Sequence, residues 1–295
     1  MTAAARWQLT GDPGEFLARA HDFLHAEPEL NTALLTVADT LRTRGKHVYG
    51  DGDPLFGWLA DGQGKVRGAF LRTPPRSVAI GPLPAPEAGA LDALAEVFAA
   101  EAPDLPGVMS DQDTAEAFAH AWRRRTGADV TRDLCQRLYR LGQLTPPEPA
   151  PPGAARVAGP GDRELLKRWH GEFSDAIGHA STTDPGEWAD ARVAYGGVTL
   201  WELPDGTPVA MAGHTRRIAG QVRVAPVYTP AAHRARGYGG AVTAAVSRAA
   251  RADGADVVVL FTDLANPTSN GLYQRVGYRP VRDYAQYAFT ATARG

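Results

Sequence analysis

Apolar residues recur along this chain with two periods, and the switches between them cut it into short elements. Asp12-Pro13-Gly14-Glu15 has the pattern of a capping box, and Phe16, Ala20, Phe23 and Leu24 follow at helical spacing. Leu30, Leu34, Val37 and Leu41 mark a second helix. Strands are predicted around "LFGWLAD" and "KVRGAFLR", then a helix carrying Leu91, Leu94, Ala95 and Phe98. Strand "PGVMS", helix "TAEAFAHAW" and strands in "ADVTRDLCQRLYRL" complete the first half.

The stretch "TPPEPAPPG", residues 145–153, has five prolines in nine positions. Such a segment neither pairs in a sheet nor continues a helix, so it is expected to be a stiff linker. The expected division is 1–144, linker 145–153, and 154–295.

Beyond it, "AARVAG" (154–159) predicts a strand, and Asp162 caps a helix carrying Leu165, Trp169, Phe173 and Ile177. Strands "GGVTLWEL" (196–203) and "TPVAMAGHTRR" (207–217) meet at the turn Pro204-Asp205-Gly206. "QVRVAPVYT" (221–229) is a further strand, in which Pro226 demands a bulge or a broken ladder. A helix follows from about Gly239, with Val242, Ala245, Val246 and Ala249 on one face. "DVVVLFTD" (256–263) holds a continuous apolar run, as a strand buried on both faces would. A helix over 268–276 and strands in "YRPVRDYAQYAF" (278–289) end the pattern. The fold class is α/β (α+β): mixed sheets with helices on both faces.

Shifting the chain by 150 positions lays "RTGADVTRDLCQ" on "RVGYRPVRDYAQ". Arg125, Gly127, Arg132, Asp133 and Gln136 then match Arg275, Gly277, Arg282, Asp283 and Gln286. With the matching order of elements, this predicts two copies of one fold in tandem.

Composition narrows the function classes. The chain has 295 residues, 44% hydrophobic and 22% charged, with net charge −2. No strong field points to nucleic acid or an acidic membrane. The single cysteine, Cys135, excludes an intramolecular disulfide and a cysteine-based zinc site, and no metal is expected. The first residues lack an apolar signal region, and the longest strongly apolar run, "VVVLF", is too short to span a bilayer. The expectation is a soluble cytoplasmic protein.

Candidate chemistry lies in "HRARGYGGAV", His233–Val242. Gly237, Gly239 and Gly240 stand where strand turns into helix. The first N–H groups of a helix lack partners and carry about half a positive charge, so a glycine-rich helix start can hold phosphate. Arg234 and Arg236 add cations. The competing reading is a glycine turn with solvated arginines. Neither a P-loop nor a dinucleotide fingerprint is present.

"VYTPAAHRARGYGGAV" resembles the acetyl-CoA segment of the GNAT N-acetyltransferase superfamily, with Arg234-x-x-Gly237-x-Gly239 in place of its signature. "LFTDLANPTSNGLYQRVGYRPV", Leu260–Val281, is similar to that family's next segment. The resemblance is close over 220–285, extends by element order to 154–290, and points to a bacterial tandem type with a degenerate N-terminal GNAT-like domain. It implies two GNAT-like mixed-sheet domains and acetyl-CoA as co-substrate. Two strands are expected to splay around the pantetheine arm, with the backbones of Val227, Tyr228 and Thr229 facing it. An N–H near Val227 would meet the oxyanion. Arg234, Arg236, Gly237, Tyr238, Gly239 and Gly240 would line the pyrophosphate. Asn266 would bond pantetheine amides, assisted by Ser269 or Asn270.

By the same resemblance Tyr273 gives a proton to the departing thiolate. The alternative is a tyrosine packed under the sheet edge. The acceptor is a primary amine on a small molecule or peptide. Because an amine of pKa about 10.4 is nearly all protonated at neutral pH, it needs a base. Glu172, Asp175, His179, Glu202, His214 and water stay open for that role. At the 150-residue offset, Asn266, Asn270 and Tyr273 face Glu116, His120 and Arg123, and "IGPLPAPEAG" lacks the glycine pattern. The first copy is therefore read as having kept the fold and lost the acyl-CoA corner. Direct acetyl transfer in a ternary complex is the expected activity; the other reading is a non-catalytic acyl-CoA sensor. A homodimer, acyl length and acceptor identity stay open.

Overall fold

A computed structural model describes residues 6–83, 88–178 and 184–291. The first elements are β1 (Arg6–Thr10), α1 (Pro13–Arg19), α2 (His21–Ala26) and α3 (Thr32–Arg44). Asp12 caps α1, its carboxylate accepting from the Glu15 N–H at 2.7 Å. The reciprocal half of the expected capping box is replaced: the Glu15 carboxylate accepts from the Thr10 hydroxyl at 2.7 Å. Next come β2 (Leu55–Ala60), β3 (Val66–Arg72), β4 (Val78–Ile80), α4 (Ala88–Glu101), β5 (Gly107–Asp111), α5 (Gln112–Thr126) and β6 (Asp129–Leu141).

After the proline-rich segment come β7 (Ala154–Val157), α6 (Arg163–Ile177), α7 (Pro185–Val193), β8 (Val198–Glu202), β9 (Pro208–His214) and β10 (Gln221–Tyr228). Then follow α8 (Tyr238–Ala252), β11 (Val257–Asp263), α9 (Pro267–Val276) and β12 (Tyr278–Thr290). Both halves thus run in the same order once the helices between their first two strands, three in the first half and two in the second, are taken as one segment. Gly127 and Gly277, paired by the internal repeat, end α5 and α9 in the same left-handed conformation.

Packing divides the chain into one unit of residues 1–137 with 282–295 and another of 138–281. In the first, β1, β2, β3 and β4 pair antiparallel in turn, and β4 runs parallel to β5. Tyr284–Ala288 of β12 close that sheet against β5. Phe16 of α1 stacks on Phe56 on one face, while Phe98 and Phe118 of α4 and α5 pack with Phe70 on the other. Full burial of one such ring contributes about 1.5–3 kcal/mol.

In the second unit β7, β8, β9 and β10 pair antiparallel, β10 runs parallel to β11, and β6 lies beside β11. Val242, Val246, Tyr273 and Val276 from α8 and α9 pack on one face; Leu166, Trp169 and Trp188 from α6 and α7 pack on the other.

These units divide at 137/138 and 281/282, not at the expected 144 and 154. The reason is strand length: β6 and β12 are 13 residues each, and each begins in one unit and ends in the other. The proline-rich segment is no free spacer either, for it packs along the second unit. Thr145 N–H donates to Val276 at 2.9 Å, and the Trp201 indole donates to the Pro152 carbonyl at 2.9 Å.

The paired glycines give a test. At Gly127 (φ +75°) a Cβ would meet nothing, whereas at Gly277 (φ +107°) it would run into the Gln143 carbonyl oxygen. Gly127→Ala is expected to lose about 1–2 kcal/mol from left-handed strain alone. For Gly277→Ala the expected loss is larger, roughly 3–5 kcal/mol, by strain plus collision. Urea denaturation of both variants checks this; equal losses would refute it.

Candidate functional site

The parallel ladder between β10 and β11 is short. It pairs Gln221–Arg223 with Val257–Val259 and goes no further among the described residues, although β10 continues to Tyr228 and β11 to Asp263. The cause lies on the other edge of β10. There Val224 pairs with His214 and Val227 with Ala212, so β10 carries one extra residue, a bulge containing Pro226. Pro226 has no N–H to give a ladder. Gly213 admits the bulge: a Cβ there would stand 2.7 Å from the Ala225 carbonyl oxygen. The strands therefore diverge where Val227, Tyr228 and the following Thr229 were expected to face a ligand.

The chain then makes a 3₁₀ turn at Ala231–His233 and passes Ala235, which has φ +59°, to Gly237 at φ +83°. Gly237 is the N-cap of α8, and no side chain caps that helix. By helix geometry the N–H groups of Tyr238, Gly239 and Gly240 lack intrahelical acceptors. Gly237 and Arg236 are exposed, whereas the Tyr238 side chain is buried in the core. Arg234 is partly engaged, its Nε donating to the Thr229 carbonyl at 3.0 Å. A Cβ on Gly239 would sit 3.4 Å from the Thr229 hydroxyl, and one on Gly240 would sit 3.3 Å from Pro147. Gly240 thus serves proline packing as well as the open corner. His233 adds an enclosed Nδ1 with no hydrogen-bond partner, a polar group that sequence reading did not single out.

On the β11 side Asn266 caps α9, its carbonyl oxygen accepting from the Ser269 N–H at 3.0 Å. Asn270 is occupied: its amide donates to the Asp263 and Asn266 carbonyls at 2.8 Å each. Its carbonyl oxygen accepts from the Tyr139 hydroxyl at 2.9 Å, and Gln274 donates to that hydroxyl at 3.1 Å. Tyr139 was not foreseen, because 131 residues separate it from its partner.

Tyr273 is 9% exposed, with its ring 6.2 Å from that of Tyr278. The Tyr278 hydroxyl is paired with Ser247 at 2.7 Å; that of Tyr273 has no partner among the described residues. Burial alone pushes the Tyr273 phenol up to about 12.

The candidate bases separate by position. Glu172 on α6 accepts from the Tyr228 hydroxyl at 2.8 Å, at the mouth of the divergence, with Arg168 3.9 Å away. Burial and this bond raise the Tyr228 pKa, while Arg234 opposes them. Asp175 is exposed on the last turn of α6. Glu202 is tied to Arg156, which also holds Asp162 at 2.7 Å. His214 has its pKa lowered by burial, and its Nδ1 lies 3.0 Å from the Thr215 carbonyl. His179 lies outside the described residues. Among those residues no group of three or more His, Cys, Asp or Glu could hold a metal ion, and no helix is long and apolar enough to cross a membrane.

Comparison with known proteins bears on the fold. A family model described as FR47-like protein matches residues 205–287, from the β8–β9 turn into β12. A GCN5-related N-acetyltransferase from Sphaerobacter thermophilus is 17% identical, with TM-score 0.61, covering 96% of this chain and 95% of its own. A tandem GNAT protein from the clavulanic acid biosynthesis pathway is 12% identical, with TM-score 0.62 and coverage of 98% and 100%. A GNAT-family acetyltransferase from Colwellia psychrerythraea is 12% identical, with TM-score 0.58 and coverage of 97% and 100%. No curated protein sequence matches significantly. At these identities the likeness is one of fold, and it spans both units: the chain has the GNAT acetyltransferase fold, in the tandem form.

Proposed function

We propose that the second unit is an acetyl-CoA-dependent N-acetyltransferase that passes acetyl directly to a primary amine. One observation carries this reading: β10 and β11 stop pairing after Arg223 and Val259, and an uncapped helix start on Gly237 lies beyond the end of β10. A pantetheine arm would lie along the diverging backbone at Val227–Thr229. Its pyrophosphate would meet the N–H groups of Tyr238–Gly240, with Arg236 and Arg234 adding charge. Each helix-terminus contact of this kind contributes about 0.3–1 kcal/mol, so several are needed together. Asn266 would bond the arm's amides through its NH₂, while Ser269 and Asn270 shape α9. An N–H near Val227 would support the oxyanion.

Tyr273 serves the leaving sulfur. A proton held at about 12 passes to a thiolate of ordinary pKa about 8.5 only uphill, by roughly 5 kcal/mol. The phenol therefore donates a hydrogen bond as charge develops on sulfur, and the proton transfers in step with loss of the amine's proton. Glu172 is the base best placed to take that proton through water, since its partner Tyr228 ends β10. The burial of Tyr273 also favours a second reading, a unit that binds acyl-CoA without turning it over.

Calorimetry separates these from no binding at all. Acetyl-CoA is expected to bind saturably, and Gly239→Asp to weaken binding at least tenfold by setting an anion against the phosphates. Tyr273→Phe is expected to bind CoA normally while turnover in an amine screen, read as free thiol, falls by about 10²–10⁴. Undiminished turnover would remove Tyr273 from the mechanism, and binding without turnover in the unaltered protein would leave the sensor.

Alkaline titration tests the phenol itself. Its folded pKa lies above the ordinary 10, so its contribution to stability is complete below pH 10 and is lost as pH rises from 10 towards 12. The total loss is on the order of 2–3 kcal/mol. Unfolding midpoints measured across that window are expected to fall less steeply in Tyr273→Phe; identical slopes would contradict the assigned burial.

A further inference from the structure

An opening in the first unit is unrelated to the site above. It is a cavity of about 720 Å³ at the carboxyl end of β4, walled by the α1–α3 region, the β2–β3 turn and Pro82–Leu83. In position it parallels the ligand side of the second unit, because Thr229 likewise follows the end of β10. The strand gap itself is not repeated. β4 pairs with β5 at Val78–Ala79, and at the next step the Ser110 hydroxyl donates to the Ile80 carbonyl at 2.8 Å. A side chain thus bridges the place where, in the second unit, β10 and β11 stop pairing. The cavity beyond it remains.

Its walls are amphipathic. Leu30 and Leu83 are buried and Phe23 half-buried, giving an apolar floor. Arg19, Lys65 and Arg282 supply cations against the carboxylates of Asp22 and Glu27, while Arg67, also on the wall, is paired with Asp61. Arg282 approaches buried Asp111 only to 3.6 Å and keeps 44% of its side chain exposed. Asn31, also on the wall, is 3% exposed. Its NH₂ donates to the Phe23 and Glu27 carbonyls at 3.4 and 3.2 Å, and its enclosed carbonyl oxygen has no donor. Its volume falls within the about 300–1,000 Å³ of small-molecule sites.

We propose that this cavity binds a small carboxylic acid with an apolar body and an N–H donor, an amino-acid-like molecule. The carboxylate meets the cations, the apolar body covers Leu30 and Leu83, and the N–H faces the carboxylates of Asp22 and Glu27. The proposal stands apart from the acetyl-transfer reading, and its test is read at different residues.

The full chain is titrated with leucine and N-acetylleucine, and with N-acetylleucinamide as the uncharged control, by calorimetry and amide NMR. At least one acid is expected to bind saturably and shift the Gly64 and Leu83 amides but not those of Gly239 and Gly240. The amide is expected to bind at least tenfold more weakly. The exposed double variant Arg19→Glu/Lys65→Glu is expected to keep its Tm and lose at least tenfold in affinity. Failure of both acids to bind saturably, equal binding of the amide, shifts confined to the glycine corner, or indifference to the double variant would each overturn the proposal.

Discussion

A parallel ladder that ends before its strands do is the constraint on which both units depend. Backbone N–H and C=O groups must find partners wherever they are buried. In the second unit the bulge at Val224–Val227 bends β10 away from β11 after three paired positions. The first unit meets the same demand differently, with Ser110 supplying the missing bond to Ile80. One fold therefore yields a splayed sheet in one unit and a stitched one in the other. That difference, more than the loss of a glycine motif, separates what the two units can bind.

Much of this was legible where local chemistry decides. Asp12 caps α1, Pro226 breaks a ladder, the apolar run at Val257 is buried, and Gly237 opens α8. Each is fixed by a few neighbouring residues. The short elements β1 and β4 were missed, because three to five residues give little periodicity. Strand length and ownership were also hidden: alternation marks β6 and β12 as strands but does not say which unit receives their last residues. For the site, the glycine-rich start of α8 could be placed from sequence, but the cap at Asn266 was not foreseen. Nor could Glu172 be chosen among five acids and histidines, since that rests on a bond to Tyr228 across 56 positions.

The proline-rich segment shows how composition can be read correctly and still mislead about role. Its residues are stiff, as expected, but stiffness suits packing as well as spacing. Pro151 lies 3.7 Å from where a Gly237 Cβ would stand, and Pro147 lies closer to Gly240. Gly237, exposed at the helix start, thus also accepts a proline ring, and buried Gly240 accepts another. A phosphate-holding helix start gains from being rigid, because donors fixed before binding lose less entropy when a ligand arrives. Prolines lose little side-chain freedom on packing, so they can fix such a corner at small entropic cost.

Burial of Tyr273 sets the last balance. A phenol kept neutral by desolvation is a constant donor, yet the same desolvation makes its proton costly to release. It can assist a thiolate only while the developing negative charge lies close enough to restore what burial removed. Its hydroxyl, without a partner among the described residues, is the one phenol of the three, with Tyr278 and Tyr139 both hydrogen-bonded, that has not already spent its donor there. Satisfied neighbours hold the ring in place, and the unsatisfied group is left for chemistry that the folded chain does not supply itself.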